Sequence, residues 1–151
     1  MTWLLGGFLA LMLMAISVTD ARERRIPDVF SLPLIPVGLL AAGSMVNPAA
    51  SYIVPPDRLI AVLAIGVILW GLARAYQAWR GFPGLGMGDV KLSMAAAAWI
   101  APEHLALWLL AAATSALAWA VLKQRKGREK VPFGCFLAPW IFIFWAFSGL
   151  C

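Results

Sequence analysis

"GMGDVKLSMAAAAWIA", residues 86–101, opens on an aspartate and a lysine and then turns almost wholly apolar. Its 16 residues make about 24 Å of helix, short of a hydrocarbon core about 30 Å thick. Asp89 and Lys91 are therefore expected at or slightly below a membrane interface, not in bulk water. Ala95–Ala98 give the segment a small-residue surface, and such surfaces let helix backbones approach closely. The stretch predicts a helix in the interior of a bundle, headed by a charged turn.

The rest of the chain supplies the bundle. Of its 151 residues 63% are hydrophobic and only 13% charged. The mean hydropathy of +0.87 lies far from that of soluble proteins. Six apolar segments can be read, at 2–19, 29–46, 58–76, 86–101, 103–122 and 133–151. They predict an all-α, polytopic membrane protein with six transmembrane helices, forming one domain over residues 1–151. Pro33 and Pro36 fall inside the second segment and predict a kink. No Lys or Arg precedes the first segment, whereas Arg22, Arg24 and Arg25 follow it, so it reads as a retained helix and not a cleaved signal.

Charge sets the expected orientation. With the N-terminus outside, the inner loops are residues 20–28, 77–88 and 123–132. Eleven of the 12 Lys and Arg residues then fall on the inner side, and only Arg58 falls outside. That bias predicts six spans with both termini outside. Topology accounts for the net charge of +5, so no nucleic-acid partner is expected. Cys135 and Cys151 would lie about 24 Å apart along one helix, beyond the roughly 7 Å a disulfide allows. Two free thiols are expected, and no C-x-x-C pair supports a metal site. His104, the one histidine, reads as an outer interfacial residue. No H-E-x-x-H or G-x-S-x-G occurs.

Two aspartates remain. Asp20 ends the first segment and Asp89 begins the fourth, 69 residues later, at the same expected side and depth. Each has a plain reading alone. Asp89 could cap its helix. Asp20 could be an interface residue beside Arg24, although a helix C-terminus disfavours a carboxylate. Together they match the arrangement in which two close carboxylates share a proton. One then serves as general base toward water and the other as general acid, with no metal and no cofactor. Gly84, Gly86 and Gly88, lacking Cβ atoms, could admit an extended substrate backbone. Lys91 is two residues from Asp89 and does not share its helix face, so it is expected to reach the interface or a neighbouring helix.

"GMGDVKL" resembles the G-x-G-D signature of intramembrane aspartyl proteases. With "DARERRIPD", residues 20–28, the chain resembles the type IV prepilin peptidases, in which an aspartate is followed seven residues later by proline in a basic loop. Asp20 and Pro27 match that spacing, and "SLPLIPVGLL" looks like the family's proline-containing second helix. "VPFGCFLAPW", residues 131–140, resembles the family's P-F-G-P-F-L-A stretch, with Cys135 where proline is usual. The resemblance implies that Asp20 and Asp89 are the catalytic pair, with Gly86, Gly88, Lys91, Arg24, Pro27 and Asp28 shaping the site or meeting substrate. It implies cleavage of the basic leader of prepilin or pseudopilin-like proteins at the cytoplasmic face of the inner membrane. The chain looks like a short, peptidase-only form without the methyltransferase domain.

Because leader and inner face are both basic, the substrate's apolar helix would supply most of the binding by lateral packing in the lipid bilayer. Asp20, Glu23, Asp28 and Asp89 would supply local complementarity. Three other readings use the same residues: a proton-coupled small transporter, a non-catalytic scaffold of a pilus assembly machine, and a presenilin-type protease. Transporters often carry two similar halves, and none is visible here.

The orientation is testable with single cysteines. A cysteine at Ser51 should react with a membrane-impermeant thiol reagent added from outside. One at Gly127 should react only after permeabilisation. The reverse pattern would place both aspartates on the wrong face for a cytoplasmic leader.

Overall fold

A computed structural model describes residues 2–23, 26, 28–46, 54–81, 85–123 and 133–148. Among them the chain forms six helices: α1 (Thr2–Glu23), α2 (Asp28–Val46), α3 (Pro56–Arg80), α4 (Met87–Trp99), α5 (Leu105–Lys123) and α6 (Gly134–Ser148). Each coincides with an expected apolar segment. α2 runs through Pro33 and Pro36 as one continuous helix. α4 is shorter than expected, because Pro102 disfavours αR backbone at Ala101, which is extended at φ −61° and ψ 138°. Ile100 is extended too, and a 3-10 turn over Pro102–His104 leads into α5.

Side-chain contacts fix the helix directions. Asp28 meets Lys91 at the starts of α2 and α4, and Leu34 meets Trp99 farther along both, so these two run parallel. Trp140 of α6 reaches Ser115 of α5, and Phe136 faces Trp119, so α5 and α6 are antiparallel. Cys135 meets Asp20, while Gly6 lies against Trp145, so α1 and α6 are antiparallel as well. The start of α1 and the end of α6 therefore share one end of the bundle.

α4 is the centre. Ala95–Trp99 are all buried, and α4 packs most extensively against α2 and α3, with α6 on another side. Alanine brings little bulk, so contact requires close backbones, and glycine provides the room. A Cβ on Gly38 of α2 would stand 2.6 Å from the Trp99 indole and 2.9 Å from Ala98 Cβ. A Cβ on Gly66 of α3 would stand 2.9 Å from Met94 Sδ. Through the Gly38 notch, the Trp99 indole N–H donates to the Leu34 carbonyl at 2.8 Å, which satisfies a buried donor.

Outside this core the surface is apolar. α3 buries only Val62, Gly66, Leu69 and Ala73, one narrow stripe, and leaves Leu63, Val67, Ile68 and Leu72 uncovered. Leu4–Glu23, Pro56–Arg80 and Pro102–Leu122 are each long and apolar enough to cross a membrane. α1 belongs to the packed core through Leu9, Leu13 and Ile16.

The notch at Gly38 makes a prediction. Gly38→Ala should destabilise the protein by about 1–3 kcal/mol, because the added methyl overpacks the α2–α4 contact. Gly71→Ala, where a Cβ meets nothing within 4 Å, should stay within about 0.5 kcal/mol of the parent. Thermal unfolding of both variants in one detergent distinguishes them, and equal effects would contradict this account of the notch.

Candidate active site

Asp20 stands in the last turn of α1 and is only 5% exposed. The carbonyls of a helix C-terminus repel a carboxylate. The fold offsets this by aiming the start of α6 at it. The backbone N–H of Cys135, in the first turn of α6, donates to Asp20 Oδ2 at 3.1 Å. The Cys135 thiol donates to the Ser17 carbonyl, with sulfur and oxygen 3.2 Å apart, and binds α6 to α1 a second time. Gly134 makes the approach possible, since a Cβ there would lie 2.8 Å from Asp20 Oδ2. A proline at position 135 would have no N–H to donate. The departure from the P-F-G-P pattern thus gives Asp20 a hydrogen bond. Cys135 is a free thiol, and Cys151 lies outside the described residues.

Asp89 is not the N-cap of α4. Gly86 holds that position with extended backbone (φ −74°, ψ 143°), and Asp89 lies three residues inside the helix. Its carboxylate turns back toward Gly86. Its own N–H returns to the Gly86 carbonyl at 3.1 Å. Here the helix dipole favours the negative charge. A Cβ on Gly86 would approach Asp89 Oδ2 to 3.2 Å, so glycine keeps this turn open beside the carboxylate. Asp89 is partly buried, and Asp20 acts on it electrostatically across the gap between α1 and α4.

Ile26, from the segment between α1 and α2, is wedged between the starts of α4 and α6, beside the two aspartates. A Cβ on Gly88 would fall 2.8 Å from Ile26 Cβ, and one on Gly134 would fall 2.9 Å from Ile26 Cδ1. Gly88 is thus occupied by a packing partner from this chain. Lys91 reaches a neighbouring helix, and its Nζ pairs with Asp28 Oδ2 at 2.6 Å. That partly exposed pair ties the start of α4 to the start of α2 and takes up the Asp28 charge expected to face a basic leader. Arg24 and Pro27, also expected at the site, lie outside the described residues, as does Gly84. Among the described residues no three of His, Cys, Asp and Glu gather as metal ligands.

Sequence reasoning missed the contacts of Ile26, Gly134 and Cys135. The I-P-D and P-F-G letters marked the right segments, but nothing in them says that both close on Asp20.

Three comparisons bear on this arrangement. The sequence model described as the type IV leader peptidase family matches residues 7–121, a stretch that holds both aspartates and ends before α6. A prepilin leader peptidase/N-methyltransferase of Aeromonas salmonicida is 32% identical over 142 residues, covering 90% of this chain and 47% of the relative. Proteins of the same name from Burkholderia pseudomallei and Pseudomonas aeruginosa are 34% and 31% identical, over 83% and 95% of this chain and 40% and 51% of their own lengths. The chain spans about half the length of the curated relatives it matches. No solved structure matches. With two aspartates beside Ile26 in an integral-membrane bundle, and with a family match over most of its length, this chain belongs to the type IV leader peptidase family.

Proposed function

We propose that this chain is a membrane-embedded aspartic endopeptidase, one domain over residues 1–151, that removes the basic leader of prepilin or pseudopilin-like proteins at the cytoplasmic face of the inner membrane. The observation that carries the reading is that Asp20 and Asp89, 69 residues apart in sequence, stand at one end of the bundle, linked through Ile26, which lies against Gly88 next to Asp89 and against Gly134 next to Asp20. Membership of a leader peptidase family supports the substrate class.

The chemistry follows from two neighbouring carboxylates holding one proton between them. The ionised one takes a proton from water while the water oxygen bonds to the scissile carbonyl carbon. The protonated one gives its proton to the carbonyl oxygen, whose π electrons move onto it. A tetrahedral diol results. It collapses when the C–N bond breaks: the electron pair goes to nitrogen, which takes the proton drawn from water, and a diol proton returns to the other carboxylate. The Cys135 N–H fixes one Asp20 oxygen, and the start of α4 favours a negative charge on Asp89.

The substrate reaches this pair with its apolar helix in the bilayer and its basic leader in the cytoplasm, so the scissile bond arrives at interface depth. With Asp28 paired to Lys91, exposed Glu23 at the end of α1 is, among the described residues, an acidic group left to meet leader charge beside the site.

Asp20→Asn and Asp89→Asn should each lower leader cleavage by about 10²–10⁴-fold while the protein still inserts. Near-parental cleavage by either purified variant would overturn the two-aspartate mechanism. Cleavage should persist in EDTA, and loss restored by zinc would count against the assignment. Lys91→Gln should cost only about 0.2–1 kcal/mol of stability and reduce cleavage without abolishing it. Complete loss with intact folding would give Lys91 a direct role in the reaction.

A further inference from the structure

At the end of the bundle away from the aspartates, a cavity of about 730 Å³ opens among α2, α3, α4 and α6. Trp99, Trp140, Phe144 and Trp145 form its apolar wall. Arg58, Glu103 and His104 bring polar groups to the same space. From Asp89 to Trp99 is about 15 Å along the α4 axis, so the cavity is separate from the proposed catalytic pair.

Arg58 is the one basic residue that the charge pattern leaves on the outer side. Its Nη1 is buried without a hydrogen-bond partner, and so is His104 Nδ1. Buried donors are seldom left unpaired, and two beside one cavity point to a ligand. The other charges facing Arg58 are Asp57, exposed in the first turn of α3, and Glu103, exposed at the rim. Neither closes an ion pair with Arg58; among the described residues the ion pair present is Lys91–Asp28. The cavity thus offers a guanidinium and a carboxylate side by side, above an aromatic wall.

We propose that this cavity binds the head group of a zwitterionic phospholipid bearing a phosphodiester and a primary ammonium, with an acyl chain lying against Ile143 and Phe147. Arginine's planar fork suits phosphate oxygens, and His104 adds a second polar contact. Glu103 accepts hydrogen bonds from the ammonium, and the indoles favour its charge. A purely anionic head group would meet Arg58 through its phosphate but bring no cation of its own to Glu103. A trimethylated head group has no N–H for Glu103. Free phosphate gains nothing from the apolar wall, whereas uncovered Ile143 and Phe147 continue that wall outward for a chain.

The test uses the full chain, delipidated in mild detergent, and native mass spectrometry. Phosphatidylethanolamine, phosphatidylglycerol and phosphatidylcholine with identical acyl chains compete at equal concentration. The parent protein should retain one phosphatidylethanolamine about tenfold over either competitor, the range of a charge-assisted hydrogen bond. Arg58→Gln should lower retention of all three lipids, which share the phosphodiester, and unchanged retention would overturn the proposal. Glu103→Gln should turn the preference toward phosphatidylglycerol, a reversal that a merely structural role would not produce. A parental preference for phosphatidylglycerol would make this a phosphate site only. Equal retention of all three would make it annular lipid. Either result overturns the proposal without reference to any variant's folding, and neither bears on the peptidase reading.

Discussion

A helix too short to cross a bilayer and too slender to fill a core governs this architecture. The 13 residues of α4 make about 20 Å of helix, and Ala95–Ala98 project little beyond their backbone. Such a helix is held only if its neighbours come unusually close. Gly38 and Gly66 provide that closeness, and Trp99 fills the resulting notch while donating to the Leu34 carbonyl. Because α4 is gripped from α2, α3 and α6, its first turn is held in a fixed place in the bundle. Asp89 is in that turn.

The same economy of side chains builds the acidic pair. A carboxylate at the end of α1 faces the wrong pole of its own helix. Asp20 is tolerable there because the beginning of α6 is brought against it, through the Cys135 N–H and the missing Cβ of Gly134. Asp89, in the first turn of α4, stands at that helix's favourable pole. Two carboxylates thus draw their support from two different helix starts. Ile26 separates those starts and keeps them in register, in contact with Gly88 on one side and Gly134 on the other.

The parallel pair α2 and α4 links the two ends of the bundle. One end carries the Lys91–Asp28 pair and the aspartates; farther along both helices, Trp99 bonds α2 and borders an aromatic cavity. α2 runs uninterrupted through Pro33 and Pro36 within this tightly packed pair. Gly38 and Gly66 stand where α2 and α3 press on α4, and Trp99, Trp140, Phe144 and Trp145 line the cavity at the far end.

Composition and hydropathy determined the class of this protein, because six apolar stretches leave the chain no stable alternative to a bundle of apolar helices, three of them long enough to cross a membrane. Small residues from Ala95 to Ala98 likewise marked α4 as interior, since only a protected helix can dispense with bulky apolar side chains. The spacing of charges made Asp20 and Asp89 the residues to watch. What the sequence could not convey was which backbone groups would receive them. The Cys135 N–H reaches Asp20 from 115 residues away, and no periodicity encodes so distant a contact. The tertiary structure also decided that Asp89 sits inside the first turn of α4, with Gly86 as its cap. It gave Gly88 to Ile26, and Asp28 to Lys91. Each outcome depends on how closely two helix backbones approach, and that distance is set by every side chain between them together, not by any one residue type.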